Sequence, residues 1–366
     1  MRLLIVSTDL RHMGGVVETV KLLLRELRGR VNVTAVPFGR RLNQTGLIRY
    51  LRILADYFYY SWFLCFNRFD VIHMNPSMNI LSVLKESVLI TVFFMFGYSG
   101  RILVFFHGWD QQFFERIVGG TVFSRIFRLI LNRAGMVVVL SEEFRESLSR
   151  AGIDRSKVQV VSTMVDMGSV PDSCSCKDDG KSLLFLSRMI KGKGADELLE
   201  AFSLLSGKYE GLKLVMAGDG PERERLMEKS ASLKLKNAFF PGYIRDEAKS
   251  STLAQSCVFL LPSKSEGCPV SLLEAMSVGL VPVVTGVGGI KDVVKPGQTA
   301  VLLDEVSAEA IAGAVSGLID DPGLRGGMSE FARSYAREHF DSRTVTEKIL
   351  AFYELLNSQM QNGGVA

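Results

Sequence analysis

Histidine is scarce in this 366-residue chain, at four, and tryptophan stands at two, cysteine at five and proline at ten. Cys65, Cys174, Cys176, Cys257 and Cys268 are too few and too scattered for a disulfide framework and lack the paired spacing of a zinc site. A reducing cytoplasm fits them best. No apolar run is long enough to span a bilayer: the most membrane-like, Val88 to Phe96, follows Lys85 and Glu86 and falls well short of the roughly 20 residues required. Met1-Arg2 leads directly into Leu3-Leu4-Ile5-Val6, which suits a buried strand better than a signal peptide. The Gly-x-Gly-x-x-Gly fingerprint of dinucleotide enzymes is missing, as is the Gly-Lys-Ser/Thr of a phosphate-binding P-loop.

What is present is a chain with 47% apolar residues and a formal net charge of +4. That excludes a disordered or fibrous chain, and the length suits two domains. The charge is uneven: residues 1–170 carry 21 Lys or Arg against 13 Asp or Glu, and the remainder 22 against 26. A basic half of this kind is most often simply solvated; otherwise it suits an anionic partner such as a lipid phosphate or membrane surface.

Short apolar runs alternate with amphipathic stretches. Leu3–Ser7, Val31–Val36, Val71–Met74, Ile102–Phe106, Met136–Leu140 and Val158–Val161 read as strands. Helical patterns lie between them, as at 16–27, where Val20, Leu23, Leu24 and Leu27 share a face. After Gly168 comes a Ser-, Asp- and Gly-rich stretch holding Cys174 and Cys176, which reads as a linker over 169–181. The alternation then restarts with Leu183–Leu186, Leu212–Ala217, Ala238–Phe240, Val258–Leu261, Val281–Val284 and Val301–Leu303. Two Rossmann-like α/β domains with parallel sheets are expected, 1–168 and 182–341. The helical tail breaks near Phe340-Asp341, and its last part, about 342–366, is expected to cross back to the first domain.

The chemistry-bearing residues fall where these strands end. Ser263-Lys-Ser-Glu266-Gly-Cys-Pro-Val-Ser-Leu-Leu-Glu274 follows the strand Val258–Leu261, with a helix starting near Pro269 or Val270. In an open parallel sheet this edge is where ligands bind, and a helix start there turns amide groups toward an anion. Glu266 on the loop and Glu274 in the helix are able to grip two hydroxyl pairs of one extended ligand. An isolated Glu pair would more often be a turn residue and a helix support. Arg188 and Lys193, in Phe185-Leu-Ser-Arg188-Met-Ile-Lys-Gly-Lys193-Gly194, bring a planar and a compact cation toward a diphosphate. Gly218 opens a tight turn after a further strand. In the first half, Gly14 and Gly15 lead into a helix that would face phosphate, and His107 follows the strand Ile102–Phe106, where a lone His would usually be structural.

The segment Glu266 to Glu274, with its seven intervening residues, resembles the paired-glutamate motif of the retaining family-four glycosyltransferases, which have the two-domain GT-B fold. The resemblance covers the second domain closely and the first by order of elements. It implies that Glu266 contacts the donor sugar, that Glu274 binds the nucleotide's ribose, and that the amides of Gly267, Cys268 and Val270 lie near the sugar and phosphates. It also implies that Arg188 and Lys193 bind the diphosphate, that Gly218 and the backbone at Tyr243 and Ile244 form the nucleotide side, and that Gly14, Gly15 and His107 complete the site. His73 is left as a packing or acceptor-side residue.

The function implied is transfer of a hexose-type sugar from a nucleotide diphosphate sugar to a saccharide or lipid-linked acceptor, in surface polysaccharide or glycoconjugate synthesis. No metal and no other cofactor is expected, and no nucleic acid. A sugar-nucleotide hydrolase or epimerase would use the same cleft, and a non-catalytic sugar-nucleotide-binding partner is a further reading. Arg40, Arg41, Arg49 and Arg52 precede Tyr57, Phe58, Tyr59, Tyr60, Trp62 and Phe63, which suits either a helix resting on the inner face of an anionic membrane or a core helix with a basic loop.

Overall fold

The computed structural model of the chain describes all residues except 13, 40, 42–46, 120–121, 175–179 and 363–366. It divides into two compact units, Met1–Thr163 with Ser342–Ala366, and Met164–Asp341. The first unit begins β1 (Arg2–Ser7), α1 (Gly15–Glu26), β2 (Asn32–Pro37), α2 (Leu47–Phe66) and β3 (Val71–Met74). It continues with β4 (Ser77–Met78), α3 (Ile80–Met95), β5 (Ile102–Phe105), β6 (Gly108–Trp109), α4 (Gln111–Val118) and α5 (Val122–Arg133). It closes with β7 (Met136–Val139), α6 (Glu142–Arg150) and β8 (Val158–Val160).

The main sheet of this unit is six-stranded and parallel, in the order β2-β1-β3-β5-β7-β8. Among its central strands β5 and β7 are apolar at every position and β3 at all but His73, because helices cover both faces, which is why they read as hydrophobic runs. Leu3, Leu4, Ile5, Val71, Ile72, Leu103, Val104 and Val137 are fully buried. Each such side chain contributes roughly 1.5–3 kcal/mol by leaving water.

The second unit repeats the plan with β9 (Ser182–Leu186), α7 (Ala195–Ser206), β10 (Lys213–Ala217), α8 (Arg223–Ser232), β11 (Ala238–Gly242) and α9 (Asp246–Ala254). Then come β12 (Val258–Leu261), α10 (Val270–Val278), β13 (Val281–Thr285), α11 (Ile290–Val293) and β14 (Val301–Leu303). Helices α12 (Ala308–Asp320) and α13 (Pro322–His339) complete it. Its parallel sheet runs β11-β10-β9-β12-β13-β14, so the direction of winding reverses between β9 and β12. Loops leaving the carboxyl ends of those two neighbours diverge and open a crevice. All twelve strands expected from the sequence are present, and β4 and β6 add a two-residue pair.

The helical tail breaks at 340–341, and α14 (Ser342–Asn362) belongs to the first unit. Val345, Ile349, Tyr353 and Leu356 recur at helical spacing and are buried to within about a hundredth of their area. Tyr353 Oη bonds Nδ1 of His73 on β3, and Arg30 pairs with Glu347 at 2.6 Å. His73 is wholly buried, so its packing role is the one the fold supports. The stretch read as a linker is held against the second unit: Cys174 N–H donates to Val278 O at 2.8 Å and Arg337 donates to Pro171 O at 3.1 Å. Cys176 lies outside the described residues.

Cysteine usage departs in one respect from the sequence reading. Cys65 and Cys174 carry thiols, but Cys257, just before β12, is disulfide-bonded. A bridge depends on proximity in the fold, which scattered spacing does not report.

The basic and aromatic segment forms α2 and divides between its two faces. Asp56, Tyr60 and Leu64 face the core, with Tyr60 Oη donating to Val36 O at 2.9 Å. Phe58 and Trp62 are exposed. Arg41 and Arg52 both pair with Asp56, while Arg40 and the side chain of Arg49 lie outside the described residues.

Candidate functional site

In the second unit the loops after β9 and β12 press together at the point where winding reverses. Gly194 caps α7 with φ +70, and a Cβ there would lie 2.1 Å from Pro262 O. Only glycine fits so close an approach in a left-handed conformation. Lys264 N–H donates to Gly192 O at 2.8 Å, tying one loop to the other. The consequence is that Lys193 Nζ meets Glu266 Oε1 at 2.5 Å, with both side chains about nine-tenths buried.

Glu266 is held from a second direction. Ser263 Oγ donates to the same Oε1 at 2.7 Å, and Thr285 Oγ1 at the end of β13 donates to Ser263 O. A buried carboxylate with an ammonium and a hydroxyl on one oxygen has its charge matched and its orientation fixed, and keeps acceptor capacity on the other oxygen. Arg188, by contrast, is exposed just past β9 and makes no ion pair among the described residues.

Helix α10 starts one turn beyond Glu266, with Pro269 at its N-cap position and Val270 first in the helix. Gly267, Cys268 and Val270 form the turn into it, and Gly267 O accepts from Gly289 N at 2.6 Å. The helix start thus sets a partial positive charge beside Glu266. Glu274, further along α10 and buried, pairs with Lys249 of α9 at 2.7 Å. On the other side of β9, Gly218 has φ +139, and a Cβ there would sit 1.9 Å from Ser187 O. Its N–H donates to Gly242 O at 2.8 Å, which sets the ends of β10 and β11 level. Tyr243, exposed, and Ile244, half-buried, follow that edge.

In the first unit, Gly14 (φ +145) is the N-cap of α1 and Gly15 its first residue, at the end of β1 and open to solvent. His107 follows β5, is buried, and stacks on Phe105 with ring centroids 4.1 Å apart. Asn75 Nδ2 donates to Val6 O at 3.0 Å, which turns its Oδ1 toward His107 Nε2 at 2.8 Å. That assignment makes Nε2 the protonated nitrogen and leaves Nδ1, buried and without a hydrogen-bond partner, as an acceptor. Burial lowers the pKa of His107 from 6.5 to about 3, so the ring is neutral at pH 7.

The structure therefore brings Lys193 to Glu266 and gathers Arg188, Gly218, Gly267, Cys268, Val270, Glu274, Tyr243 and Ile244 on one edge of one sheet. Gly14, Gly15 and His107 lie on the corresponding edge of the other. Sequence reasoning missed Ser263, Thr285, Lys249, Asn75 and the Gly286–Gly289 loop. Ser263 and Asn75 carried a positional signal, each standing just past a strand. Lys249 carried none.

Two doubly wound units, each with its glycines and polar side chains at strand ends, define a protein of the two-domain GT-B class. The sequence pattern of the family described as Glycosyl transferases group 1 matches residues 173–335, and that of Glycosyltransferase Family 4 matches 13–168. Together they take in most of the chain, which belongs to the GT-B, family-four type of glycosyltransferases. Among relatives, the 2-deoxystreptamine N-acetyl-D-glucosaminyltransferase of Niallia circulans is 27% identical, over 70% of this chain and 66% of its own length. The phosphatidyl-myo-inositol mannosyltransferase of Mycolicibacterium smegmatis is 25% identical, over 79% and 72%. The chain thus spans about two thirds of the length of these relatives. Sucrose-phosphate synthase from Thermosynechococcus elongatus shares the fold with a TM-score of 0.79 at 16% identity, covering 98% of this chain and 99% of that one. Anabaena HepE in complex with UDP-glucose gives 0.73 at 16% identity, covering 98% and 100%.

Proposed function

We propose that this chain transfers a hexose-type sugar from a nucleotide diphosphate sugar to a saccharide or lipid-linked acceptor, with retention of configuration and without a metal ion. The observation that carries the reading is the Lys193–Glu266 pair, fixed by Ser263 and Thr285 beside the start of α10. In transfer, the bond from the anomeric carbon to the diphosphate oxygen breaks and the electron pair leaves with the phosphate. The negative charge that develops is met by Arg188, the Lys193 ammonium and the amides of Gly267, Cys268 and Val270. Glu266 accepts from sugar hydroxyls through its free oxygen, and Glu274 accepts from the ribose. His107, neutral, is assigned to the donor sugar by the resemblance alone.

Glu266 is assigned to holding the donor rather than attacking its anomeric carbon, as the resemblance of its segment implies. The departing phosphate takes the acceptor's proton on the face it leaves, and the acceptor oxygen bonds the anomeric carbon on that same face. Retention follows from the resemblance of the Glu266–Glu274 segment. A lipid-linked acceptor accords with a relative that acts, by its name, on phosphatidyl-myo-inositol, and with synthesis of a surface polysaccharide or glycoconjugate at the inner face of a membrane.

The test is incubation of the purified chain with UDP-, GDP- and ADP-sugars and a panel of acceptors, with the anomeric configuration of the product read by proton NMR. Transfer that persists in EDTA with retained configuration is expected. An inverted product removes the retaining mechanism, and donor consumption independent of any acceptor turns the assignment to a hydrolase.

A further inference from the structure

Three helices of the first unit turn apolar side chains to solvent along a whole face. On α2, Leu51, Leu54, Phe58, Trp62 and Phe66 recur at spacings of three and four and are all more than half exposed, Phe58 at 78%. The opposite stripe, Asp56, Tyr60 and Leu64, is in the core. On α3 the exposed stripe is Leu81, Leu84, Val88 and Met95, against Leu89, Ile90 and Phe93 inside. On α5 it is Val122, Ile126 and Leu129, against Phe127, Ile130 and Leu131. Helix α3 contacts both α2 and α5, so the three stripes adjoin. Single exposed apolar residues are ordinary, but a continuous patch of this kind on one face marks an interaction surface.

Charge identifies the partner. These helices contain two carboxylates, Asp56 and Glu86, and both are buried, tied to Arg41 and Arg52 and to Lys85 and Ser82 respectively. The charged side chains that reach solvent among the described residues of the three are all cations, Arg52, Arg125 and Arg133 exposed and Lys85 and Arg128 in part. A second copy would set arginine against arginine with no carboxylate between them. No helix of the described residues is long and apolar enough to cross a bilayer. An aromatic and aliphatic face with only cations at its margin suits a layer of anionic headgroups above acyl chains.

We propose that α2, α3 and α5 together form a monotopic docking surface for anionic phospholipid, with the three helices lying in the headgroup layer. The apolar stripes enter the acyl boundary and the arginines engage the phosphates. This rests on the reading of a lipid-linked acceptor and explains how the chain meets one, yet it is tested without any transfer reaction.

The experiment is flotation of the full chain with phosphatidylcholine vesicles, with and without phosphatidylglycerol, at low and high salt. Binding to the anionic vesicles, weakened but not abolished by salt, is expected. Phe58→Ser with Trp62→Ser on α2, and separately Leu84→Ser with Val88→Ser on α3, should each lower the partition constant by at least roughly tenfold. Both pairs are solvent-facing, so unchanged circular dichroism and melting confirm that the variants fold. In a Trp109→Phe background, Trp62 alone reports insertion, and brominated phosphatidylcholine should quench it. No binding to anionic vesicles at low salt overturns the proposal, as does binding that neither pair affects, or a dimer that Phe58→Ser with Trp62→Ser dissolves without any vesicle binding. Transfer to a water-soluble acceptor by chains that fail to float would remove the surface and leave the activity. Vesicle binding by a chain with no transfer would do the reverse.

Discussion

In the second unit charges are paired between separate elements, Lys193 with Glu266 and Lys249 with Glu274, whereas in the first the loop after β5 carries a neutral buried imidazole held by an amide, and the ion pair after β1, Asp9 with Arg11, is local. Each unit carries a six-stranded parallel sheet built on the same strand–helix alternation, so the contrast is drawn in what each loop must do. Holding a polyanion and its hydroxyls needs fixed charges on rigid loops, and the glycines at 194 and 218 permit the close backbone contacts that fix them. The first unit instead combines an acceptor nitrogen shielded from water with helices that face outward as apolar stripes. One unit is specified by residue type at set spacing, the other by which surface is left uncovered.

The sharpest way to break this comparison is to remove a charge from the second unit. Lys193→Ala leaves Glu266 buried beside Ser263 alone and removes a cation from the leaving group. Its kcat should fall by about 10²–10³, with the fold intact by circular dichroism. Turnover within a few-fold of the parent chain would mean that the pair is structural.

Next in size is backbone crowding. Gly218→Ala pushes a Cβ onto Ser187 O at a φ that side chains rarely adopt, and should cost roughly 2–3 kcal/mol in urea unfolding. Gly14→Ala, whose Cβ would meet nothing within 4 Å, separates the cost of positive φ from that of crowding. Equal losses in the two variants would remove the crowding argument.

A pH dependence follows from the histidines and belongs to the first unit. Burial lowers both His73 and His107 from 6.5 to about 3, so the unfolded chain takes up protons that the folded one does not. The contribution is fully present above pH 6.5 and is lost as pH falls toward 3, by up to about 1.4 kcal/mol per pH unit for each histidine. The second unit has no buried histidine among its described residues, so its own unfolding should change little between pH 6.5 and 5. Urea titrations at both pH values, read by probes placed in each unit, check this; parallel shifts in the two would contradict it.

The smallest effect concerns Lys249. Its amine orients Glu274 without being one of the charges assigned to the diphosphate, so Lys249→Ala should weaken nucleotide affinity by roughly three- to tenfold and leave kcat nearly unchanged. Calorimetric titration beside steady-state rates would show the split, and a fall in kcat as large as that of Lys193→Ala would move Lys249 into the chemistry.

Much of this was legible in the sequence because parallel strands covered on both faces are apolar throughout, and short runs such as Val71–Met74 and Val258–Leu261 stand out against amphipathic helices. Gly218 and Glu266 stood out by following such runs, Gly14 by leading into a helix, and Glu274 by its spacing from Glu266. Partners that arrive from distant elements did not. Lys249 reaches Glu274 from another helix, and Thr285 reaches Ser263 from the next strand. The run Val88–Phe96 carries no mark of which residues meet water: Leu89, Ile90 and Phe93 are inside while Val88 and Met95 are out, and hydropathy is the same on both sides. A helix apolar on its outer face looks like a core helix until the fold shows that nothing among the described residues covers it.

The most direct test is nucleotide binding by the parent chain, Glu274→Gln and His107→Ala, titrated calorimetrically with UDP, GDP and ADP. The account predicts that one of these diphosphates binds the parent chain, that Glu274→Gln weakens it by roughly tenfold, and that His107→Ala leaves it unchanged. Binding of none of them, or a loss caused by His107→Ala and not by Glu274→Gln, would contradict it.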